Sequence, residues 1–397
     1  MAAVSSTGAR RGTGAEATSG RIALVITGLG AGGAERVLVG MANHWAAKGI
    51  GVTLISFEPP GTPSYYPLDP GVELRQLDLK AQAGAPWRTA WQSMVRVLAL
   101  RRAFRACRPD VAIAFLAKVN IITVVATRGL GLPVILSERN NPERQGFSPV
   151  WVWLRHRLYA LADGFVTPSR GVLECFPDPL RARGRVISNP VDLPPSPPAR
   201  AGSRTLVAVG RLVEQKGFDL LLEAFASIAP GRPDWRLVIW GEGPERGRLE
   251  ALRDRLGLGD RVALPGLTAR PGQWTEDAAL FVLSSRYESF GNVITEAMAS
   301  GLPVVAFDCP FGPGEIVRDG VEGVLVPPED VAALAAALAA LLADPERRVR
   351  LGAAARAGVQ RFERTRVMAL WDDLIAEVTA ARWTEPEMAP LSGDRQS

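Results

Sequence analysis

Short apolar runs of strand-forming residues alternate with helical stretches along most of this chain, and this alternation constrains the fold more than any other feature. Apolar strands in strand–helix–strand order are typical of parallel sheets covered by helices on both faces. The predicted strands lie at 21–26, 52–57, 111–115, 134–137 and 165–167, and then at 205–209, 236–240, 261–264, 279–283, 303–306 and 323–326. In the first half, helices are predicted at 34–48, 87–107 and 120–128. The pattern indicates an α/β protein with two doubly wound, Rossmann-like parallel sheets, and 397 residues are enough for two domains.

A proline-rich segment, LPPSPPARAGS, separates the two sets of strands. Such a segment cannot continue a helix or a central strand, so we interpret it as a linker. The linker at 193–203 separates an N-terminal domain at 21–192 from a C-terminal domain at 204–366. A C-terminal helix at 367–384 follows and could cross back to the first domain. The two ends are a disordered tail at 1–20 and a polar tail at 385–397.

Cysteine and histidine usage excludes several classes of protein. The three cysteines, Cys107, Cys175 and Cys309, have no metal-ligand spacing, and with two histidines in the chain we expect neither a zinc site nor a histidine-driven triad. The first apolar run, 22–26, is shorter than the roughly 7 to 15 residues of a signal peptide, and the apolar run 331–343 is shorter than the roughly 20 residues that cross a bilayer. We therefore expect a cytoplasmic protein without a metal or cofactor.

Charge is distributed unevenly between the two halves. Residues 1–190 hold 23 Lys and Arg against 12 Asp and Glu, whereas residues 191–397 hold 23 against 29. An excess of positive charge suits phosphate groups, an anionic membrane or nucleic acid, although a bias toward arginine also arises from genome composition. Because the chain has no aromatic–basic platform of a known type, we predict no nucleic-acid partner.

The strongest motif is RYESFGNVITEAMASG at 286–301, which follows an apolar strand. A helix is predicted to begin near Gly291 and to end at Gly301, with Glu288 in the loop before it and Glu296 about one turn inside it. The N–H groups at a helix N-terminus bind phosphates, whereas carboxylates accept hydrogen bonds from hydroxyls. This combination suits a nucleotide sugar, with Glu296 on the ribose and Glu288 on the sugar. Two glutamates in a helical region are also common without any such role.

A second motif, GRLVEQKG, begins at Gly210, at the end of the first strand of the second domain. Ligands of doubly wound folds bind at the carboxyl ends of strands, so this loop and the Glu288 loop are expected at the same edge. Lys216 is the single lysine in residues 191–397. Together with Arg211, it can neutralise a leaving diphosphate without a metal. A solvated loop lysine remains the alternative.

Two segments of the chain resemble the signature segments of glycosyltransferase family 4, including its Glu-x7-Glu motif. They read GRLVEQKGFDLLLEAF and YESFGNVITEAMASGLPVVA. The family's first strand, glycine-rich loop and helix are resembled by ITGLGAGGAERVLVGMANHWAAKG. The segment that usually follows the family's second motif is resembled by GPGEIVRDGVEGVLVPPED. The resemblance covers roughly residues 21–385. It implies the GT-B fold, in which two Rossmann-like domains face each other across a cleft. It also implies a nucleotide diphosphate sugar donor, with uridine as the base, retention of configuration and independence of metal ions.

Carried over residue by residue, the resemblance implies a catalytic set and a donor-binding set. The catalytic residues would be Glu288, Arg211 and Lys216. The donor-binding residues would be Gly32, Gly33, Gly210, Arg211, Lys216, Glu288, Phe290, Gly291, Asn292, Val293 and Glu296. Because these positions are intact, we favour an enzyme over a homologue that only binds nucleotide sugars.

The acceptor side departs from the family pattern. Many members carry a histidine after the strand that corresponds to 111–115, whereas this chain reads LAKVN there. The acceptor-side candidates are Lys118, Asn120 and Arg139, with a solvent-facing role equally open for Lys118. SERNNPE and DCPFGPGEI resemble members that extend polyprenyl-diphosphate-linked oligosaccharides. That resemblance implies a lipid-linked glycan acceptor, reached by peripheral contact with the inner face of the membrane.

Two aromatic and basic segments fit such contact. On a helical wheel of residues 87–108, one stripe holds Trp87, Trp91, Met94, Val95, Leu98, Arg102 and Arg105. The stripe suits a helix that lies on anionic lipid or grips a lipid-linked diphosphate, but its first turns could equally pack on the sheet. The second segment, at 149–159, also combines aromatic and basic residues and reads PVWVWLRHRLY. Burial between the domains is the alternative interpretation.

A nicotinamide-dependent oxidoreductase is the rival interpretation. Gly28, Gly30 and Gly33 form GxGxxG between a strand and a helix, and Glu58 follows the next strand. The motif alone is weak because its glycines suit any ligand that approaches the backbone closely. No histidine or metal set for hydride transfer accompanies it.

Overall fold

The computed structural model describes residues 20–79, 86–194, 202–268, 270 and 272–383, with the backbone alone for 86–90 and 381–383. The predicted tails, apart from Gly20, and most of the predicted linker lie outside these residues. Among the described helices, none has the length and apolar character needed to cross a membrane.

The described strands form two parallel sheets. The first has the order β3-β2-β1-β4-β5-β6-β7 and the second the order β10-β9-β8-β11-β12-β13. The strands of the first sheet are β1 Arg21–Ile26, β2 Gly51–Ser56, β3 Val72–Gln76, β4 Val111–Phe115, β5 Val134–Ser137, β6 Gly164–Thr167 and β7 Gly184–Val186. Those of the second are β8 Thr205–Val209, β9 Arg236–Trp240, β10 Val262–Gly266, β11 Leu280–Leu283, β12 Val304–Phe307 and β13 Gly323–Val326. Each sheet thus has the doubly wound order that the alternation predicted.

Helices cover both sheets. They are α1 Gly33–Ala47, α2 Pro86–Cys107, α3 Ala117–Thr127, α4 Pro149–Tyr159, α5 Arg170–Glu174, α6 Leu180–Arg183, α7 Phe218–Ile228, α8 Arg246–Arg255, α9 Asn292–Ala299, α10 Pro313–Ile316, α11 Val331–Ala343, α12 Pro345–Gly358 and α13 Arg364–Trp383. Aspartates cap two of them: Asp330 accepts from the Ala333 amide at α11, and Asp344 accepts from the Arg347 amide at α12.

Four buried apolar clusters flank the two sheets, one on each face. The central strands are buried on both faces; β4 and β12, for example, are buried at every position. Helix α13 returns to the first sheet, where Met368 and Trp371 join the cluster that contains Trp45. The Trp45 indole donates to Asp372 Oδ1 at 2.7 Å.

The strand order reverses between β1 and β4 in one sheet and between β8 and β11 in the other. Loops at such switch points diverge and leave a crevice at the carboxyl ends of the strands. Residues that follow β1, β4, β8 and β11 all line one cleft between the sheets. The architecture is the two-domain GT-B fold that the family resemblance implied.

The structure also corrects the predicted elements. The edge strands β3 and β7 were not predicted, and α3 begins at Ala117 rather than at residue 120. Both edge strands are partly exposed, so their sequences lack the apolar runs of the central strands. The earlier start of α3 follows from Leu116, which has a φ of 78° and turns the chain directly from β4 into the helix.

Candidate active site

A cleft of about 770 Å³ lies between the two domains. This volume is in the range of pockets that hold small molecules and cofactors. All the residues predicted to bind the donor line it: Gly32, Gly33, Gly210, Arg211, Lys216, Glu288, Phe290, Gly291, Asn292, Val293 and Glu296. The structure therefore brings together residues that come from three separate stretches of the sequence.

Glu288 lies in the loop after β11 and is 6% exposed. Its Oε1 accepts from Lys216 Nζ at 2.5 Å and from Ser285 Oγ at 2.7 Å. Lys216 reaches this carboxylate by passing over Gly210, where an added Cβ would lie 3.1 Å from the lysine Cε. The ammonium and the carboxylate thus form a largely buried ion pair at the floor of the cleft.

The N-terminus of α9 faces the same cleft. Gly291 precedes the helix with a φ of 101°, in the region that favours glycine, and no side chain caps the helix. The Ile294 N–H donates to the Gly291 carbonyl at 2.9 Å, so the first-turn N–H groups available to hydrogen-bond an anion are those of Asn292 and Val293. Arg211, which follows β8, is exposed at the cleft, and within the described part of the chain its side chain makes no hydrogen bond or ion pair.

Glu296 is engaged from the other domain. Arg36 of α1 donates to Glu296 Oε1 and forms an ion pair with it. Burial acts to lower the pKa of Arg36, but the charge and the hydrogen bond of Glu296 raise it above its ordinary value. Burial raises the pKa of the neighbouring Tyr66 to about 12, so its hydroxyl stays protonated and can donate. Arg36 was not predicted from the sequence, although it lies three residues after Gly33, near the start of α1.

Asn292 also bridges the cleft. Its Oδ1 accepts from Asn189 Nδ2 at 2.6 Å, and its Nδ2 donates to the Gly33 carbonyl at 3.3 Å. An added Cβ at Gly33 would lie 2.9 Å from Asn292 Nδ2, so glycine permits this approach. Asn189, a cleft residue just after β7, was also missed because no motif marks it.

A third cleft carboxylate, Glu35, was missed as well. It lies in the first turn of α1 and lines the cleft. Burial raises its pKa, and the Glu58 carboxylate acts in the same direction, whereas the Arg211 charge acts to lower it. Glu58 itself accepts from the Leu29 amide at 2.9 Å, so the acidic residue of the nicotinamide interpretation is bound to the glycine-rich loop.

Of the three acceptor-side candidates, Arg139 lines the cleft. Its buried guanidinium lies beside the rings of Phe115 and Trp371, at 5.1 and 5.6 Å from their centroids. It donates to Ser137 Oγ at 2.6 Å, to the Ile187 carbonyl at 3.2 Å and to Asn189 Oδ1. Burial lowers its pKa to about 9.

The other two candidates, Lys118 and Asn120, are not among the described residues that line the cleft. Lys118 is exposed, with its ammonium over the rings of Phe147 and Trp151. Asn120 is fully buried and donates to the Ser137 carbonyl at 3.2 Å and to Tyr159 Oη at 2.9 Å. Leu116, directly after β4, lines the cleft in the region of the chain where many family members carry a histidine.

Two curated proteins to which the chain is similar have names that refer to an exopolysaccharide or to an undecaprenol-linked glycan. An exopolysaccharide phosphotransferase of Streptomyces coelicolor is 39% identical over 187 residues, which are 47% of this chain and 20% of that protein; the chain thus matches about a fifth of its length. A Campylobacter jejuni enzyme is 27% identical over 365 residues, covering 91% of this chain and 99% of the relative. Its name is GalNAc-alpha-(1->4)-GalNAc-alpha-(1->3)-diNAcBac-PP-undecaprenol alpha-1,4-N-acetyl-D-galactosaminyltransferase.

The fold matches that of HepE from Anabaena, whose structure was solved in complex with UDP and glucose. The TM-score is 0.74 at 21% identity, over 89% of this chain and 99% of HepE. Two family models match the sequence: Glycosyltransferase Family 4 over residues 31–194 and Glycosyl transferases group 1 over residues 192–358. Since these matches together span both domains and the cleft between them, the chain belongs to the family 4 glycosyltransferases.

Proposed function

We propose that this glycosyltransferase moves a hexosyl or N-acetylhexosaminyl group from a UDP-linked sugar to a lipid-linked glycan, with retention of configuration and without a metal ion. One observation carries the proposal: Arg211, Lys216 and the first-turn amides of α9 line the same cleft, beside the Glu288 carboxylate. Cations and N–H donors arranged in this way offset the negative charge that develops on a departing diphosphate.

The proposed reaction needs no separate protein base. The bond between the sugar C1 and the diphosphate oxygen breaks while the acceptor oxygen bonds to C1 on the same face. The acceptor proton passes to an oxygen of the leaving phosphate. In this scheme Arg211 and Lys216 stabilise the diphosphate, and positioning of the two substrates supplies much of the remaining rate enhancement.

Glu288 and Glu296 are assigned to hydroxyl groups of the donor. Glu288 Oε1 is occupied by Lys216 and Ser285, so we assign Oε2 to the sugar. Glu296 is assigned to the ribose, whose hydroxyls would replace or share the hydrogen bond from Arg36. Arg139 is the acceptor-side residue that the cleft geometry supports.

Two comparisons support the substrate classes. HepE, which shares the fold, binds UDP and glucose in its solved structure. The Campylobacter relative, aligned over nearly its whole length, acts on an undecaprenol-linked glycan according to its name. The net positive charge of the first 190 residues fits a phosphate-bearing acceptor.

The test is a panel of nucleotide sugars, assayed for UDP release and glycan extension in the presence of EDTA. Because protein cations take the role of a metal in this scheme, we expect one donor to turn over at a rate within about twofold of that without chelator. Product analysis should show that the anomeric configuration of the donor is retained. A strict requirement for a divalent cation would contradict the proposal.

We also propose that the first domain docks on an anionic membrane through α2 and α4. Trp91, Met94 and Leu98 form an exposed stripe on α2, and Trp91 is 68% exposed. On α4, Val150 and Trp153 are exposed as well. The Trp87 side chain lies outside the described residues. The buried residues of α2, among them Leu100 and Phe104, are on the opposite side of the helix from Trp91, Met94 and Leu98, which supports an outward-facing stripe.

The basic residues extend this apolar stripe. Arg102 and Arg105 are exposed on α2, and the Arg157 guanidinium lies 5.9 Å from the Trp153 ring centroid on α4. Both helices pack against α3 and contribute to the same apolar cluster, so they lie on the same face of the first sheet. Exposed tryptophans beside arginines are typical of helices that lie at an anionic lipid interface.

The double variant Trp91→Ser/Trp153→Ser is expected to bind anionic vesicles about 10- to 100-fold more weakly, because two aromatic side chains no longer insert. Flotation with phosphatidylcholine vesicles, with and without phosphatidylglycerol, measures the change. Val349→Ser is the matched control, since Val349 is 72% exposed on α12 of the second domain. Equal binding by the double variant and the control would contradict the docking surface.

A further inference from the structure

The chain on both sides of Glu288 is held by the first domain. On one side, the Arg144 guanidinium lies 5.4 Å from the Tyr287 ring centroid. On the other, Ser289 Oγ donates to the Arg139 carbonyl at 2.7 Å, and the Ser289 carbonyl accepts from Ser169 Oγ at 3.1 Å. The loop that carries Glu288 belongs to the second domain, yet its nearest neighbours in sequence contact the first.

A second segment, residues 308–316 after β12, supports the same loop from behind. The Glu288 amide donates to the Pro310 carbonyl at 3.4 Å. Gly312 has a φ of 138°, and a Cβ there would collide with the Phe290 carbonyl oxygen. This segment therefore follows the Glu288 loop closely, and its position and that of the loop are linked.

Residues 308–316 also dock on the first domain at α5. Phe311 adopts a φ of 64°, which is strained for a non-glycine residue, and packs against a buried cluster of the first domain. Gly171 makes room for it, because a Cβ there would collide with the Phe311 ring. Glu315 then accepts from the amides of Arg170 and Gly171 at 2.7 and 2.9 Å.

We propose that Phe311 and Glu315 form an interdomain clasp that positions Glu288 for sugar transfer. The clasp couples the placement of the first domain, which holds the acceptor, to the orientation of the carboxylate beside the donor sugar. Phe311 and Glu315 are positioning residues, since they act through the Glu288 loop. The inference rests on the proposed function for its catalytic consequence, but the contacts themselves do not depend on it.

The clasp predicts a separation between donor binding and transfer. Arg211, Lys216 and α9, which we assign to the diphosphate, all belong to the second domain. Loosening the clasp should leave UDP binding nearly intact, because these groups stay in place. Transfer should fall, since displacement of reacting groups by about 1 Å can cost about 100-fold in rate. Water should then compete better with the acceptor for the sugar.

The experiment compares Phe311→Ala, Phe311→Leu and Glu315→Gln with the wild type. We expect Phe311→Ala to lower kcat for transfer by about 10- to 100-fold and to raise the ratio of donor hydrolysis to transfer, with the Kd for UDP within about twofold. Phe311→Leu, which keeps apolar bulk, should retain most of the activity. For Glu315→Gln, kcat should fall several-fold. The amide nitrogen of glutamine cannot accept a hydrogen bond, so only one of the two backbone N–H groups of Arg170 and Gly171 keeps its acceptor. Glu346→Gln, an exposed charge on α12, is the control.

Small-angle X-ray scattering gives a readout that does not depend on the reaction. With UDP added, the double variant Phe311→Ala/Glu315→Gln should have a larger radius of gyration than the wild type. Unchanged kcat and unchanged radius, or a parallel loss of UDP binding and melting temperature, would overturn the clasp. A wild-type protein that transfers no sugar would instead contradict the proposed function, and the radius of gyration would still test the clasp.

Discussion

Replacing Glu288 by glutamine is expected to lower kcat for sugar transfer by about 10²- to 10⁴-fold. The substitution keeps the shape of the side chain but removes the negative charge that holds the Lys216 ammonium at 2.5 Å. It also makes the side-chain oxygen that we assign to the donor sugar a weaker hydrogen-bond acceptor. The Kd for UDP should change far less, because the variant keeps Arg211, Lys216 and the first-turn amides of α9, the groups that we assign to the diphosphate. Steady-state kinetics and calorimetric UDP titration measure the two quantities.

Ser285→Ala is the matched control for Glu288→Gln. It removes one hydrogen bond to the same Oε1, at 2.7 Å, and leaves the charge in place. A loss of about tenfold or less is expected for it. Comparable activities for the two variants, at comparable melting temperatures, would mean that the charge of Glu288 has no part in transfer.

Lys216→Ala is expected to lower kcat/KM for the donor by about 10²- to 10³-fold and to weaken UDP binding. The variant removes one of the two cations assigned to the diphosphate and leaves the Glu288 carboxylate buried without its partner. Unlike Glu288→Gln, it should therefore affect binding and turnover together. Added Mg²⁺ should restore little activity, because the described residues include no cluster of three or more His, Cys, Asp or Glu side chains that could hold a metal ion.

Arg248→Ala is the control for Lys216→Ala. Arg248 lies on α8 of the same domain, is exposed, and pairs with Asp219 and Glu245 away from the cleft. Its loss changes the net charge by the same amount, so it should leave UDP affinity within about twofold. If both variants lowered UDP affinity equally, the cause would be the overall electrostatic field of the domain rather than a contact between Lys216 and the diphosphate.

The central strands could be predicted from sequence because they are buried on both faces. β4 and β12 read as continuous apolar runs, VAIAF and VVAF, which leave little choice of structure. β3, with the sequence VELRQ, lies at the edge of its sheet and is buried only at Val72, so no comparable signal marks it. The order of the strands within each sheet was not predicted, because the alternation indicates parallel, doubly wound sheets without specifying which strands are neighbours.

The donor side of the cleft could be predicted because its residues come from contiguous motifs at the ends of β8 and β11. In the first domain, Gly32, Gly33 and Arg139 were predicted, but the residues that pair with the second domain across the cleft were not. Arg36 and Glu296 are 260 residues apart, and Asn189 and Asn292 are 103 apart, so no local pattern links them. Asn120 was expected near the acceptor from its place after β4, but the helix starts earlier and turns the side chain into the core.

A crystal structure of the chain with UDP tests the central claim most directly. We expect phosphate oxygens within about 3.2 Å of Arg211, of Lys216 and of the first-turn amides of α9, with the ribose hydroxyls at Glu296. A diphosphate bound outside this convergence, or held through a metal ion, would contradict it.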